Sequence, residues 1–151
     1  MKLQKITSML WFDGQAEEAA RFYVSVFKKG KIGKPMRYPD GRVAALPFEI
    51  QGVKFTALNG GPQFKFNESV SFVVHCKDQK EVDYYWDKLT SGGGQESMCG
   101  WLKDKYGLSW QIVPDVLLEL MRGKKAPKVM EAFMKMRKYD IGALKRAAEG
   151  K

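Results

Sequence analysis

The chain is poor in the side chains that build metal sites and disulfide frameworks. Its 151 residues include one histidine, His75, and two cysteines, Cys76 and Cys99. Two thiols cannot make a disulfide framework, and two reduced cysteines are the default inside a cell. A structural zinc site takes four ligands at characteristic spacing, and His75, Cys76 and Cys99 fall short of that set. No metal is therefore expected. No apolar run approaches the roughly 20 residues that cross a bilayer, which excludes a spanning helix of the usual kind. The opening stretch, MKLQKITSMLWFDG, carries an apolar patch too short for a secretion signal, and Asp13 closes it. The expectation is a cytoplasmic protein with no membrane partner.

What is present is ordinary in amount and unusual in arrangement. Hydrophobic residues make up 44% and charged residues 28%, as in soluble domains, and the length suits one domain with its own core. The formal net charge is +9. Residues 115 to 151 hold ten lysines and arginines against five acidic residues, so the excess is concentrated in the C-terminal quarter. A nucleic-acid surface is one reading of that quarter. The solvated face of amphipathic helices is the other, and it is preferred because no nucleic-acid motif accompanies the charge.

The apolar pattern repeats. Residues 6–12 read as a buried strand, ended by Asp13-Gly14. Ala16, Ala19, Ala20, Tyr23, Val26 and Phe27 fall on one helical face. Lys28 to Lys34 is a basic, glycine-punctuated turn region, and Pro39-Asp40-Gly41 is a second turn. Val43 to Ile50 and Val53 to Leu58 form a hairpin about Gln51-Gly52. Ser69 to Cys76 then alternates as a strand. Asp78 and Glu81 make a capping box ahead of Val82, Tyr85, Trp86 and Leu89. Two or three short strands follow, the last turning at Asp104-Lys105-Tyr106-Gly107. The order strand, helix, three strands thus occurs twice, about sixty residues apart. It predicts an α+β fold of two βαβββ modules, residues 5–62 and 67–114, whose curved mixed sheets surround a cavity within a single domain.

A helical extension over 115–151 completes the chain. Val129, Phe133, Met136, Ile141 and Leu144 give it an apolar stripe. If exposed, that stripe would be a liability, and a two-fold axis would cover it. A homodimer is expected on that ground.

The segments "LWFDGQAEEAARFYVSVF" (10–27), "FTALNGGPQFKFNESVSF" (55–72), "CGWLKDKYGLSWQIVP" (99–114) and "VMEAFMKMRKYDIGALKRA" resemble the PhnB-like branch of the vicinal oxygen chelate superfamily. That superfamily includes glyoxalase I, bleomycin-resistance proteins and extradiol dioxygenases. The resemblance covers nearly the whole chain, and it too implies pairing of subunits. In metal-dependent members four ligands, usually His, Glu or Gln, come from corresponding strands. The matching positions here are Ser8, Asn59, Ser69 and Gln111. Serine is a poor ligand for zinc, nickel or iron, so the resemblance implies a metal-free pocket without cofactor. Members often carry the label demethylubiquinone methyltransferase. Neither Gly60-Gly61 nor Gly92 to Gly94 stands between a strand and a helix, as a methyl-donor loop would, so a methyltransferase is not expected.

Strand alternation places Ser69, Ser71, Val73 and His75 on one face. Cys99, Trp101 and Lys103 share a parity, as do Ser109, Gln111 and Val113. With Gln111 facing the pocket, Trp110 belongs to the core and Trp101 to the pocket wall. The candidate binding residues are Ser8, Asn59, Ser69, Ser71, Trp101 and Gln111. Cys99 and His75 are the candidates for catalysis, set against plainer roles as a small buried thiol and a strand-end histidine. The leading expectation is a protein that binds a small, flat or aromatic ligand in a metal-free cavity. The alternative is an enzyme of unknown reaction, lyase-, isomerase- or oxygenase-like, using Gln111, Asn59 and Cys99 or His75.

Overall fold

The computed structural model describes residues 4–151, so the first three residues of the opening stretch lie outside it. The fold is α+β, with two mixed sheets and five helices among the described residues. It divides into two compact units, one ending at Phe66 and the other Asn67–Lys151. No helix among the described residues is long and apolar enough to cross a membrane.

In the first unit β1 (Ser8–Phe12) leads into α1 (Ala16–Val26). The short strands β2 (Gly30–Ile32) and β3 (Met36–Arg37) follow, then the long hairpin β4 (Val43–Ile50) and β5 (Val53–Asn59). The sheet order is β1-β5-β4-β2, with β3 also on β4 and only the β1–β5 pair parallel. The hairpin turns where expected, with Gln51 and Gly52 at φ 49° and 78°. Two consecutive left-handed residues match the twist of the flanking strands. The region read as a basic turn is in part strand β2. Its residues are all exposed, so backbone pairing with β4 holds it and no apolar alternation announces it. Leu10, Phe12, Phe48, Phe55 and Ala57 are buried together with Ala16, Ala19, Ala20, Tyr23 and Val26 of α1. The Phe48 ring stacks on Tyr23 and on Phe55 at 5.9 and 5.2 Å.

The second unit has the expected βαβββ order, one strand fewer than the first, with β6 (Ser71–Cys76), α2 (Gln79–Thr90), β7 (Gln95–Glu96), β8 (Trp101–Lys103) and β9 (Ser109–Pro114), in sheet order β6-β9-β8-β7. Asp78 caps α2 by accepting the Glu81 amide at 2.9 Å. The Glu81 carboxylate reaches back to the Lys77 amide at 2.9 Å, one residue before the position a capping box would use. Val82, Trp86 and Leu89 bury one face of α2, and Cys76, Leu102, Trp110 and Ile112 bury one face of the sheet.

The extension is α3 (Asp115–Leu120), α4 (Ala126–Phe133) and α5 (Ile141–Ala148). Its stripe does not wait for a second subunit. Val129, Tyr139 and Leu144 are buried with Val113 and Leu117, and Phe133 and Met136 pack against them. The exposure argument for a dimer therefore fails, because three short helices fold onto one another and onto the end of β9. The segment between α4 and α5 is also tied back by polar bonds. Met136 and Arg137 carbonyls accept from the amides of Cys99 and Gly100, both at 2.8 Å, and the Tyr139 hydroxyl donates to the Cys99 carbonyl at 2.8 Å. Gln79 of α2 donates to the Tyr139 carbonyl and accepts from the Ile141 amide, at 2.9 and 2.8 Å.

Two buried acids make this packing sensitive to alkali. Burial first, then the charges of Glu81, Asp115 and Asp78, pushes the Cys76 thiol from 9.0 up to about 12. Burial pushes the Tyr139 phenol from 10.0 up to about 12. Both groups stay protonated when folded at pH values where the unfolded chain ionises them. Their contribution is thus complete below about pH 9 and is lost as pH rises towards about 12. Urea unfolding across that window should show a falling midpoint, with a shallower fall near pH 9 to 10 for Cys76→Ala. A flat profile would contradict it.

Candidate functional site

Face selection in the second sheet follows from register. Ser71 pairs with Ser109 and Val73 with Gln111 across β6 and β9, while Trp101 pairs with Gln111 and Lys103 with Ser109 across β8 and β9. Paired residues share a face. Because Phe72, Trp110 and Leu102 take the side of α2, the residues Ser71, Ser109, Lys103, Gln111 and Trp101 take the other. Trp110 is core as expected, packed near Phe72 with ring centroids 5.6 Å apart.

A cleft of about 470 Å³ lies in this unit, within the usual size range of small-ligand sites. Trp101, Met98 and Cys99 give it apolar wall, and Glu68, Glu96, Lys103 and Ser109 line it with polar groups. Lys103 and Glu68 form an ion pair, which holds the Glu68 carboxyl below its ordinary range. Glu96 accepts the Trp86 indole N–H at 2.6 Å and lies 3.8 Å from Arg137. Gln111 Nε2 donates to Ser71 Oγ at 3.0 Å. Ser109 differs from all of these. It is 0% exposed, and its Oγ has no hydrogen-bond partner within the protein. A buried unpaired hydroxyl costs stability and is uncommon in a native fold.

The expected residues are only partly brought together. Ser71, Trp101 and Gln111 meet on one sheet face, and Cys99 lines the adjoining cleft in a left-handed conformation, φ 59°. His75 is exposed at the end of β6. Ser69 lies before the strand in a turn, where its amide and hydroxyl both donate to Asn67 Oδ1, at 2.9 and 2.5 Å. Ser8 and Asn59 belong to the first unit and share the register of Leu10, Phe12, Phe55 and Ala57. The Asn59 amide is engaged at both ends, accepting the Ala16 amide at the start of α1 and donating to the Val43 carbonyl, at 2.9 and 3.1 Å. Ser109 and Glu68 are cleft residues the sequence reading did not single out as sites. The shared parity of Ser109 and Gln111 was the available signal for the first; nothing local marks the second.

Among the described residues, no three of His, Cys, Asp and Glu are grouped so as to hold a metal ion. Both cysteines are free thiols. The glycine pair at 60–61 serves packing. A Cβ on Gly60 would come 2.3 Å from the Trp11 ring, and the Gly61 carbonyl accepts the Trp11 indole N–H at 2.9 Å.

Comparison with known proteins gives a consistent family. The pattern described as 3-demethylubiquinone-9 3-methyltransferase matches residues 4–113. No curated protein matches the chain. Among solved structures, the PhnB protein of Bacillus cereus is 34% identical with a TM-score of 0.68, the match covering 74% of this chain and 99% of that one. The fosfomycin resistance protein FosX of Mesorhizobium loti is 12% identical, TM-score 0.59, over 82% of this chain and 100% of its own. FosX of Listeria monocytogenes is 14% identical, TM-score 0.54, over 75% and 93%. The two FosX likenesses show the fold alone.

Proposed function

Because the chain belongs to the family described as 3-demethylubiquinone-9 3-methyltransferase, the PhnB-like branch of the vicinal oxygen chelate superfamily, we propose that it binds a small aromatic ligand in the cleft of its second unit. The observation that carries this reading is the buried, unpaired Ser109 hydroxyl in a cleft walled by Trp101. The ring supplies a flat apolar surface and the hydroxyl a directional contact, the usual division of labour in a small-molecule site.

The superfamily's metal does not fit the residues at its positions. Asn59 spends its amide on α1 and β4, Ser69 spends its hydroxyl on Asn67, and Ser8 offers only a neutral hydroxyl. Gln111 alone makes no open divalent site. A methyl-donor cofactor fits no better, since Gly60 and Gly61 are covered by Trp11. The reading is therefore of a metal-free binding protein and not a methyltransferase, whatever the family's description. Cys99 in the cleft wall favours a second reading, an enzyme that uses this thiol. Rapid alkylation of Cys99 well below neutral pH would promote it. A cytoplasmic protein with reduced thiols remains part of the proposal. So does a homodimer, which the covered C-terminal stripe no longer supports and which now rests on the family resemblance.

Ser109→Ala tests the site with two opposed readouts. Deleting an unsatisfied buried hydroxyl should leave the unliganded protein as stable or raise it by about 1 kcal/mol, while a ligand found by native mass spectrometry against a fragment library should bind about fivefold more weakly. Trp101→Ala should weaken the same ligand about tenfold. Ligands that bind unaltered to both variants would place the function elsewhere.

A further inference from the structure

We propose that the ligand of this cleft is an aromatic carboxylate whose anion replaces Glu68 as the partner of Lys103. This rests on the cleft being the binding site and specifies what it takes. The groups that cross the sheet in register are Ser71 on β6, Ser109 on β9 and Lys103 on β8. Lys103 and Ser109 line the cleft and Ser71 adjoins them on the same sheet face; each is able to donate. The Ser71 oxygen already accepts from Gln111, which leaves its O–H to donate. The Ser109 hydroxyl is unpaired, and an ammonium has donors only. Neighbouring strands stand about 4.8 Å apart, so the row offers donors at a regular interval and calls for an acceptor, preferably a charged one. Trp101 and Met98 beside the row provide the surface for a ring.

The acceptor now serving Lys103 is internal. Glu68 comes from the turn before β6, which Asn67 organises through Ser69. The two partners are unequally placed: the Lys103 side chain is 34% exposed and that of Glu68 61%. Lys103 belongs to the strand and the cleft, while Glu68 can turn into water without uncovering a buried charge. The four charges near the cleft, Lys103 and Arg137 against Glu68 and Glu96, balance. An incoming carboxylate therefore has to exchange with a resident one, and exchange with an exposed pair is cheap. Glu68 would thus act as a competitor built into the chain. It keeps the lysine paired in the empty protein and lowers affinity for anions.

The test is an NMR titration of the full chain with benzoate, benzamide and benzylamine, following the backbone amides of Lys103, Ser109 and Gln111. Benzoate should perturb them at lower concentration than benzamide, and benzylamine should perturb them least. Glu68→Gln should raise benzoate affinity roughly three- to fivefold and benzamide affinity by less, as loss of a surface competitor for a charged acceptor requires. Lys103→Met should abolish the preference of benzoate over benzamide. If benzamide or benzylamine binds as well as benzoate, or if Glu68→Gln fails to favour benzoate, the carboxylate inference is overturned while the binding reading stands. If none of the three rings perturbs the cleft amides, both fall.

Discussion

Asp104→Ala should destabilise the protein by roughly 3–5 kcal/mol, the largest effect expected of any single substitution near the cleft. Asp104 is 2% exposed, yet both oxygens of its carboxylate are hydrogen-bonded. One oxygen accepts the amides of Tyr106 and Leu108 at 2.9 and 3.1 Å, and the other accepts the Trp110 indole N–H at 2.9 Å. Its backbone closes the same turn, the Asp104 amide donating to the Leu108 carbonyl and the Gly107 amide to the Asp104 carbonyl, both at 2.9 Å. Alanine would strand the Leu108 and Trp110 donors in the interior, and bonds to a charged acceptor are about twice as strong as neutral ones. Asparagine keeps one acceptor oxygen and should lose less than half as much. For a chain of this size the alanine variant should melt roughly 10 °C lower. The turn also sets the register that places Lys103 beside Ser109, so ligand affinity should fall with stability. A loss below about 1 kcal/mol would show that the carboxylate is dispensable.

Gly100→Ala should be nearly as costly, by roughly 2–4 kcal/mol, and its damage should appear in the C-terminal helices. Cys99 and Gly100 are consecutive left-handed residues at φ 59° and 78°. A Cβ on Gly100 would stand 2.4 Å from the Tyr139 ring and 3.0 Å from the Ile112 carbonyl oxygen, on a backbone that L-residues adopt at a penalty. The ring cannot retreat cheaply. It is 4% exposed, its hydroxyl holds the Cys99 carbonyl, and Phe133 packs edge-on against it at 6.0 Å. The expected result is loss of hydrogen-exchange protection in α4 and α5, with α1 unchanged. Tyr139→Phe, which removes only the hydroxyl bond, should cost about 1 kcal/mol and keep the helices docked. Uniform loosening of both units, or none, would count against the turn as the anchor of these helices.

Both experiments bear on what a linear reading can reach. Period-two and period-3.6 patterns report which side of a strand or helix is apolar, because burial acts on every residue of an element at once. Hence the βαβββ order of the second unit, the Gln51-Gly52 hairpin, the Asp78 cap and the core position of Trp110 were legible from residue types alone, whereas the first unit carries a fourth strand after its helix. So were Ser71, Trp101 and Gln111 as neighbours, since alternation and pairing carry parity from strand to strand. Strand β2 was not legible, because an exposed edge strand is held by backbone bonds that no side chain signals. Nor were the fates of Asn59 and Ser69, whose short polar groups serve whichever backbone donor folding brings near them. The apolar stripe over 129–144 announced that it would be covered; whether by a second subunit or by its own chain depended on where the loops after Leu120 and Phe133 turn. Ser109 as an unpaired hydroxyl and Glu68 as the partner of Lys103 are facts of three dimensions. A missing partner, or one thirty-five residues away in the chain, is decided by the packing of whole elements, and no local pattern encodes it.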